Sequence, residues 1–354
     1  MSIPIENIYY LLVYAWDKLE ESELADVQPE DSTSLVDLFA RVLNNGISQL
    51  IRRGIDRSYV STSEVIPGVR GRIQMSESIK RLTFPQAKAC CEFDEFSHDI
   101  LHNQIIKSTV RKLFRSDLVE KKNRQDLYTT YMRLPEISDI VVTDQTFRKV
   151  QIHKNNQFYS FLLDICRLIS HNLLVNEQTG ESQFRDFVRE PKAMARLFEA
   201  FVKNFYRKEQ ATFSVSADEL PWQSMVATEE DLHLIPKMRF DISLRDESRY
   251  IVIDTKFYKE ALSEYHEKQK VISSHLYQLF AYMKNLESKY SPLLEIHGAL
   301  LYPTVNDDLD LTYNMHGHVL RITSVDLNKP WQSIHNQLLE LLDTFPAAQA
   351  YSVA

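Results

Sequence analysis

Glycine is scarce in this chain, at 7 of 354 residues. No G-x-x-x-x-G-K-[S/T] run occurs, so the chain is not expected to bind a nucleotide in a phosphate loop of its own. Cysteine is limited to Cys90, Cys91 and Cys166. They have neither zinc-finger spacing nor the pattern of a disulfide framework, which suits a reducing compartment. No apolar run reaches membrane-spanning length. The opening Met-Ser-Ile-Pro-Ile-Glu-Asn lacks the basic start of a signal peptide. A cytoplasmic protein without a membrane partner is therefore expected. Positive charge is also in deficit, with 41 Lys and Arg against 49 Asp and Glu and a formal net charge of −8. A protein that grips DNA unaided usually carries a basic surface. This one has only local patches, such as Arg52-Arg53 and Lys121-Lys122. If DNA is the substrate, a partner supplies much of the affinity and the sequence choice.

What is present is an ordinary globular composition, 44% hydrophobic and 25% charged, and enough length for two domains. Helical spacing predicts helices near 6–19, 34–53, 76–83, 99–115, 122–133 and 158–174. Extended segments are expected at 58–74 and 87–93, with a further short strand over Ile137–Val142. Asn176-Glu-Gln-Thr-Gly-Glu181 is the best linker candidate. Beyond it come a helix near 192–209, a strand near 213–217, a hairpin, a helix near 271–286, a strand near 296–302, a further extended pair and a helix at 331–342. The reading is α/β (α+β), divided into 1–180 and 181–354, with the second half built as helices around a small sheet.

The hairpin carries the chemistry. Pro236 to Lys256 reads as two short strands around the polar turn Asp246-Glu-Ser-Arg249. Folding it between Glu247 and Ser248 sets Asp241 opposite Asp254. Directly opposed residues point to one face with Cβ atoms about 5 Å apart. Lys256, two residues beyond Asp254, shares that face. Met238, Phe240, Ile242 and Leu244, with Ile251, Ile253 and Phe257, form the expected apolar row on the other. Two unpaired carboxylates so close destabilise a fold. A hard divalent cation relieves the repulsion, and Mg²⁺ is typically held by one or two carboxylates plus waters and phosphate oxygens. The lysine can then orient a water or neutralise charge on a phosphate. A surface ion cluster with no chemistry is the competing reading of the same three residues.

A D…D-x-K hairpin between helices resembles the PD-(D/E)xK nuclease superfamily, with Phe240 in place of the usual proline before Asp241. Gln278-Leu-Phe-Ala-Tyr282 resembles the Q-x-x-x-Y motif of its RecB-like branch, and positions four apart share a helical face. Four further segments, in order, resemble the McrC family. They are Asn7-Ile-Tyr-Tyr-Leu-Leu-Val-Tyr-Ala-Trp16, Ile66-Pro-Gly-Val-Arg-Gly-Arg-Ile73, Asn103-Gln-Ile-Ile-Lys-Ser-Thr109 and Leu276-Tyr-Gln-Leu279. The resemblance implies the endonuclease subunit of a type IV, GTP-dependent restriction complex directed to modified cytosine in double-stranded DNA. It implies Mg²⁺ held by Asp241 and Asp254, Lys256 as the catalytic lysine, and Gln278 and Tyr282 in support. Glu199 sits where many superfamily members place an acidic residue on the first helix. It also implies an McrB-type AAA+ GTPase hexamer that binds the GTP, docks the 1–180 region and has its hydrolysis stimulated. The nuclease domains (181–354) of two complexes would pair for double-strand cleavage. The arm from Glu64 to Asn156, with the polar loop Lys149–Gln157, is the candidate for insertion into that ring. Two alternatives stay open: a stand-alone RecB-like nuclease, and a non-enzymatic activator of an AAA+ ring.

Overall fold

The computed structural model describes residues 3–23, 34–152, 156–175, 182–184, 190–222, 235, 237–257, 262–265, 268–304 and 308–346. The expected linker 176–181 and residues 153–155 of the expected polar loop lie outside them. The chain separates into two compact units, one of Met1–Leu19 with Asp186–Ala354, the other of Glu20–Arg185. This differs from a single cut at 180, because helix α1 (Ile5–Ala15) is counted with the C-terminal residues.

The Glu20–Arg185 unit begins at the short helix α2 (Leu19–Glu23) and then forms the long α3 (Leu35–Arg53). The Ser34 side chain caps α3 by accepting from the Asp37 amide at 3.2 Å, as its N-cap position favours. A three-stranded antiparallel sheet follows, built from β1 (Ser58–Pro67), β2 (Arg72–Ile73) and β3 (Lys88–Ser97) in the order β1-β3-β2, with α4 (Met75–Lys80) between the last two. Helices α5 (Leu101–Phe114), α6 (Lys121–Met132), α7 (Asp144–Arg148) and α8 (Gln157–Asn172) come next, and β4 (Leu173–Val175) pairs with β5 (Ser182–Phe184). Apolar stripes on α3, α5, α6 and α8 pack together, with Phe39, Leu43, Val110, Leu127 and Phe161 fully buried.

The expected strand over Ile137–Val142 is an irregular segment. Side chains satisfy its polar backbone in place of a neighbouring strand. Lys107 Nζ donates to the carbonyls of Leu134 and Ile137, both at 2.6 Å, and the amides of Ser138 and Ile140 donate to Asp99 and Ser108.

In the other unit, α1 packs against α9 (Pro191–Glu209). Six strands form the central sheet: β6 (Ser214–Ser216), β9 (Ile242–Arg245), β10 (Arg249–Thr255), β13 (Glu295–Thr304), β14 (Asp310–Met315) and β15 (His318–Asp326). Two small antiparallel pairs stand apart, β7 (Glu219–Leu220) with β8 (Met238–Arg239), and β11 (Leu262–Tyr265) with β12 (Lys268–Val271). The sheet order is β14-β15-β13-β10-β9-β6, parallel for β10–β13 and β13–β15 and antiparallel elsewhere. Helix α10 (Ser273–Tyr290) is the crossover between parallel β10 and β13, and α11 (Trp331–Asp343) closes the unit.

Position in the sheet explains why β10 does not alternate. Tyr250, Ile251, Val252 and Ile253 are all buried, because a strand with helices over both faces reads as a continuous apolar run. Helix α9 packs on β9 and β10, while Leu279, Met283 and Leu286 of α10 cluster with Tyr250 and Val252. Gly298 of β13 allows α10 to come this close. A Cβ there would lie 2.7 Å from Met283 Sδ and 3.1 Å from Leu279 Cδ1.

Candidate active site

Pairing of β9 with β10 sets Tyr250 against Arg245, Ile251 against Leu244, Val252 against Ser243 and Ile253 against Ile242. The turn between them is locked by one side chain. Asp246 Oδ1 accepts from the amides of Ser248 at 2.8 Å and Arg249 at 2.6 Å, and its Oδ2 pairs with the Arg249 guanidinium. That lock fixes the register, since a slip by one residue would turn every side chain over. The ladder ends at Ile242 and Ile253, one position short of Asp241 and Asp254.

The apolar row breaks at that point. The hairpin's first strand is interrupted at Phe240-Asp241, and Met238 and Phe240 cluster with Val252 and α10 rather than continuing the row of Ile242 and Leu244. Phe240 packs edge-on against the Tyr282 ring, centroids 4.8 Å apart. With the strand ended, Asp241 turns toward the partner strand. Its Oδ2 accepts from the Thr255 amide at 2.8 Å and the Thr255 hydroxyl at 3.0 Å.

Asp254 is 1% exposed. Lys256 Nζ lies 2.7 Å from its Oδ2. That contact is an ion pair without hydrogen-bond alignment, and neither Asp254 oxygen has a hydrogen-bond partner among the described residues. Burial pushes the Asp254 carboxyl up to about 6; the Asp241 charge adds to the shift and Lys256 opposes it. Lys256 also donates to Gln278 Oε1 at 3.0 Å, and Gln278 Nε2 donates to the Tyr282 hydroxyl at 2.6 Å. A chain of polar contacts thus runs from Asp254 through Lys256 and Gln278 to Tyr282. The four-residue spacing on α10 makes this possible.

Glu199, on α9, is half-buried. Burial and the Asp241 charge hold it above the usual carboxylate range, against the pull of Lys203, Arg239 and Lys256. The six residues singled out from the sequence therefore share one electrostatic neighbourhood. His275 was not among them. It is buried, its Nδ1 lies 3.0 Å from the Tyr302 hydroxyl, and burial together with the Lys256 charge lowers it to about 4. Its signal was available, because 275, 278 and 282 fall at the i, i+3, i+7 spacing of one helical face.

Among the described residues, no three or more Asp, Glu, His or Cys side chains form a ready cage for a metal ion. The donor set is instead two carboxylates, one buried with both oxygens short of hydrogen-bond donors. That fits a small hard cation that keeps several waters and takes one or two carboxylates.

Comparison with known proteins gives this arrangement a class. The chain belongs to the family of McrBC 5-methylcytosine restriction system components, which it matches over residues 7–303. More particularly, it is 32% identical over 343 residues to the type IV methyl-directed restriction enzyme EcoKMcrBC of Escherichia coli strain K12, covering 97% of this chain and 98% of that relative. Its fold is similar, with a TM-score of 0.59 at 17% identity, to a chain of the refined half-complex from a tetradecameric assembly of Thermococcus gammatolerans McrB AAA+ hexamers with bound McrC. That similarity covers 96% of this chain and 76% of the other. No described helix is long and apolar enough to cross a membrane.

Proposed function

We propose that this chain is the DNA-cutting subunit of a GTP-dependent restriction complex directed to modified cytosine. In that reading it hydrolyses phosphodiester bonds at Asp241, Asp254 and Lys256, on a PD-(D/E)xK-type sheet. The observation that carries the proposal is Asp254, a carboxylate 1% exposed that feels the Asp241 charge and, among the described residues, is ion-paired with Lys256. A fold keeps such a charge when something positive is to join it.

Asp241 and Asp254 would hold Mg²⁺, which when bound lowers the pKa of a water and polarises a phosphate oxygen. Asp241 Oδ2 is already spanned by Thr255, which fixes its carboxylate plane and leaves Oδ1 for the ion. Lys256 is aimed from two sides, by Asp254 and by Gln278. Its ammonium is placed to orient a water and to offset charge growing on a phosphate, without reorganising as the reaction proceeds. Tyr282 holds Gln278, and Phe240 holds Tyr282.

The partner in this reading is an McrB-type AAA+ GTPase hexamer that binds the GTP and reads the modified base, and two complexes pair their nuclease units for a double-strand break. The Glu20–Arg185 unit supports it with apolar side chains left in solvent on its small sheet and α4, Tyr59 at 72% and Phe96, Met75, Ile79 and Leu82 all more than half exposed. A cytoplasmic setting follows from this role.

The test is cleavage of methylated duplex DNA by this chain assembled with its GTPase partner, GTP and Mg²⁺. Lys256→Gln is expected to abolish cutting while leaving stimulated GTP hydrolysis intact. Normal cutting by that complex sinks the assignment.

A further inference from the structure

Helix α9 carries Lys192, Arg196, Glu199 and Lys203. Successive separations of four, three and four residues put all four on one stripe, within about 60° of arc at 100° per residue. The stripe lies apart from the buried face of Met194, Phe198, Phe201, Val202 and Phe205. Glu199 places it, because the charges of Asp241, Lys203, Arg239 and Lys256 all act on that carboxylate. Lys203 and Arg239 therefore lie beside Glu199, and Arg196 and Lys192 continue the same stripe one and two turns toward the helix N-terminus.

Close ion pairing does not hold them, although Glu199 on the same stripe feels the charges of Lys203 and Arg239. None of Lys192, Arg196, Lys203 and Arg239 forms an ion pair with a described residue. Lys192 stands in the first turn of α9, after the N-cap Glu190. A helix N-terminus is the positive end of its dipole and disfavours cations. In a chain of net charge −8, a row of solvent-facing cations with no close ion pair among the described residues suits an anion from outside.

We propose that Lys192, Arg196 and Lys203, joined by Arg239, form a rail that binds the sugar–phosphate backbone of duplex DNA and leads one strand to Asp241 and Asp254. From Lys192 to Lys203 is eleven residues, about 16 Å of helix. One DNA strand carries a charge every 3.4 Å or so of axis, so the rail spans about five phosphates and can neutralise up to about four. The rail rests on the nuclease reading only for where it leads the strand.

The test is the salt dependence of binding. The full-length chain is titrated against a short fluorescein-labelled duplex by anisotropy, with Ca²⁺ in place of Mg²⁺, from about 50 to about 200 mM salt. Four phosphate contacts give a wild-type affinity falling about 150-fold over that range; Arg196→Gln with Lys203→Gln leaves two and a fall of about 12-fold. Each single substitution removes about 0.9 from the log–log slope, which keeps the test open if the double variant loses its thermal transition. Arg245→Gln, at the other end of β9, leaves the slope unchanged. An unchanged slope in the Arg196 and Lys203 variants overturns the rail. So does an equal loss in Arg245→Gln, or a wild-type chain without salt-dependent binding. A chain that binds with the expected slopes and never cuts with its partner keeps the rail and loses the nuclease reading. One that cuts while its variants keep the full slope does the reverse.

Discussion

Gln278 Nε2 donates to the Tyr282 hydroxyl at 2.6 Å, one turn along α10, and so turns its carbonyl oxygen toward Lys256. The amide thus has one orientation in which both of its ends are satisfied. Gln278→Ala is expected to free Lys256 from one of its two anchors and to lower the cleavage rate by about 10–100-fold, the range for a lost supporting contact around a metal site. Thermal stability should barely change. Single-turnover cleavage in the assembled complex reads the loss, and Tyr282→Phe should give a smaller loss in the same direction.

Asp254 gives a stability prediction. Its ordinary value is 3.8 and its folded value about 6. The folded chain binds this proton more tightly than the unfolded chain, so stability is fully present below 3.8 and falls as pH rises through about 6. Without metal at pH 7.5, Asp254→Asn is expected to be more stable than wild type by on the order of 1 kcal/mol, with the gap closing near pH 4. Added Mg²⁺ should raise the melting temperature of wild type and not of the variant. Denaturant melts across pH and metal concentration measure both.

His297 sets the acid limit. It is buried beside β15, with Glu295 at 3.6 Å, its Nδ1 accepting from the Val319 amide and its ring stacked on Phe345. Burial, with the charges of His318 and Arg249, lowers it from 6.5 to about 4. The unfolded chain then takes up the proton first, so stability is full above 6.5 and is lost as pH falls toward 4. The loss from this residue reaches about 3 kcal/mol at most. His297→Asn should lessen the fall in stability between pH 6.5 and pH 4.5 in urea melts, with His275 keeping its own share, and a slope equal to wild type counts against it.

Gly298 is a packing requirement with a functional consequence. A methyl group there meets the Met283 and Leu279 side chains at 2.7 to 3.2 Å. Gly298→Ala is expected to cost about 1–3 kcal/mol, typical of overpacking. It should also lift the helix that carries Gln278 and Tyr282, so cleavage falls further than the lost stability explains. Comparing activity with the folded fraction at one temperature separates the two effects.

The register of β9 on β10 was legible because Asp246 makes a tight turn whose centre can be found by counting, and the ladder keeps that count as far as Ile242 and Ile253. The reversal at Phe240-Asp241 was not, because Met238 and Phe240 have the alternation of a continuing strand and only the tertiary seat beside Tyr282 turns them over. The same limit hid the full burial of Tyr250-Ile-Val-Ile253, which depends on a parallel neighbour more than forty residues away, β13. Ile137–Val142 has strand-like residues, but Lys107, Asp99 and Ser108 take the backbone groups a strand would offer. The proximity of Glu199 to the Asp241 charge could not be read from the sequence, because it needs α9 packed on β9 and β10.

Asn7 donates to the carbonyls of Leu327 at 2.8 Å and Lys329 at 2.9 Å. Helix α1 is therefore seated by residues more than three hundred positions away in sequence. Tyr14 likewise depends on Glu209 and on Trp331. A chain stopped short of residue 331 leaves α1 without its seat. The unit that carries Asp241 and Asp254 thus closes through contacts of very long sequence separation, which are slow to form in folding.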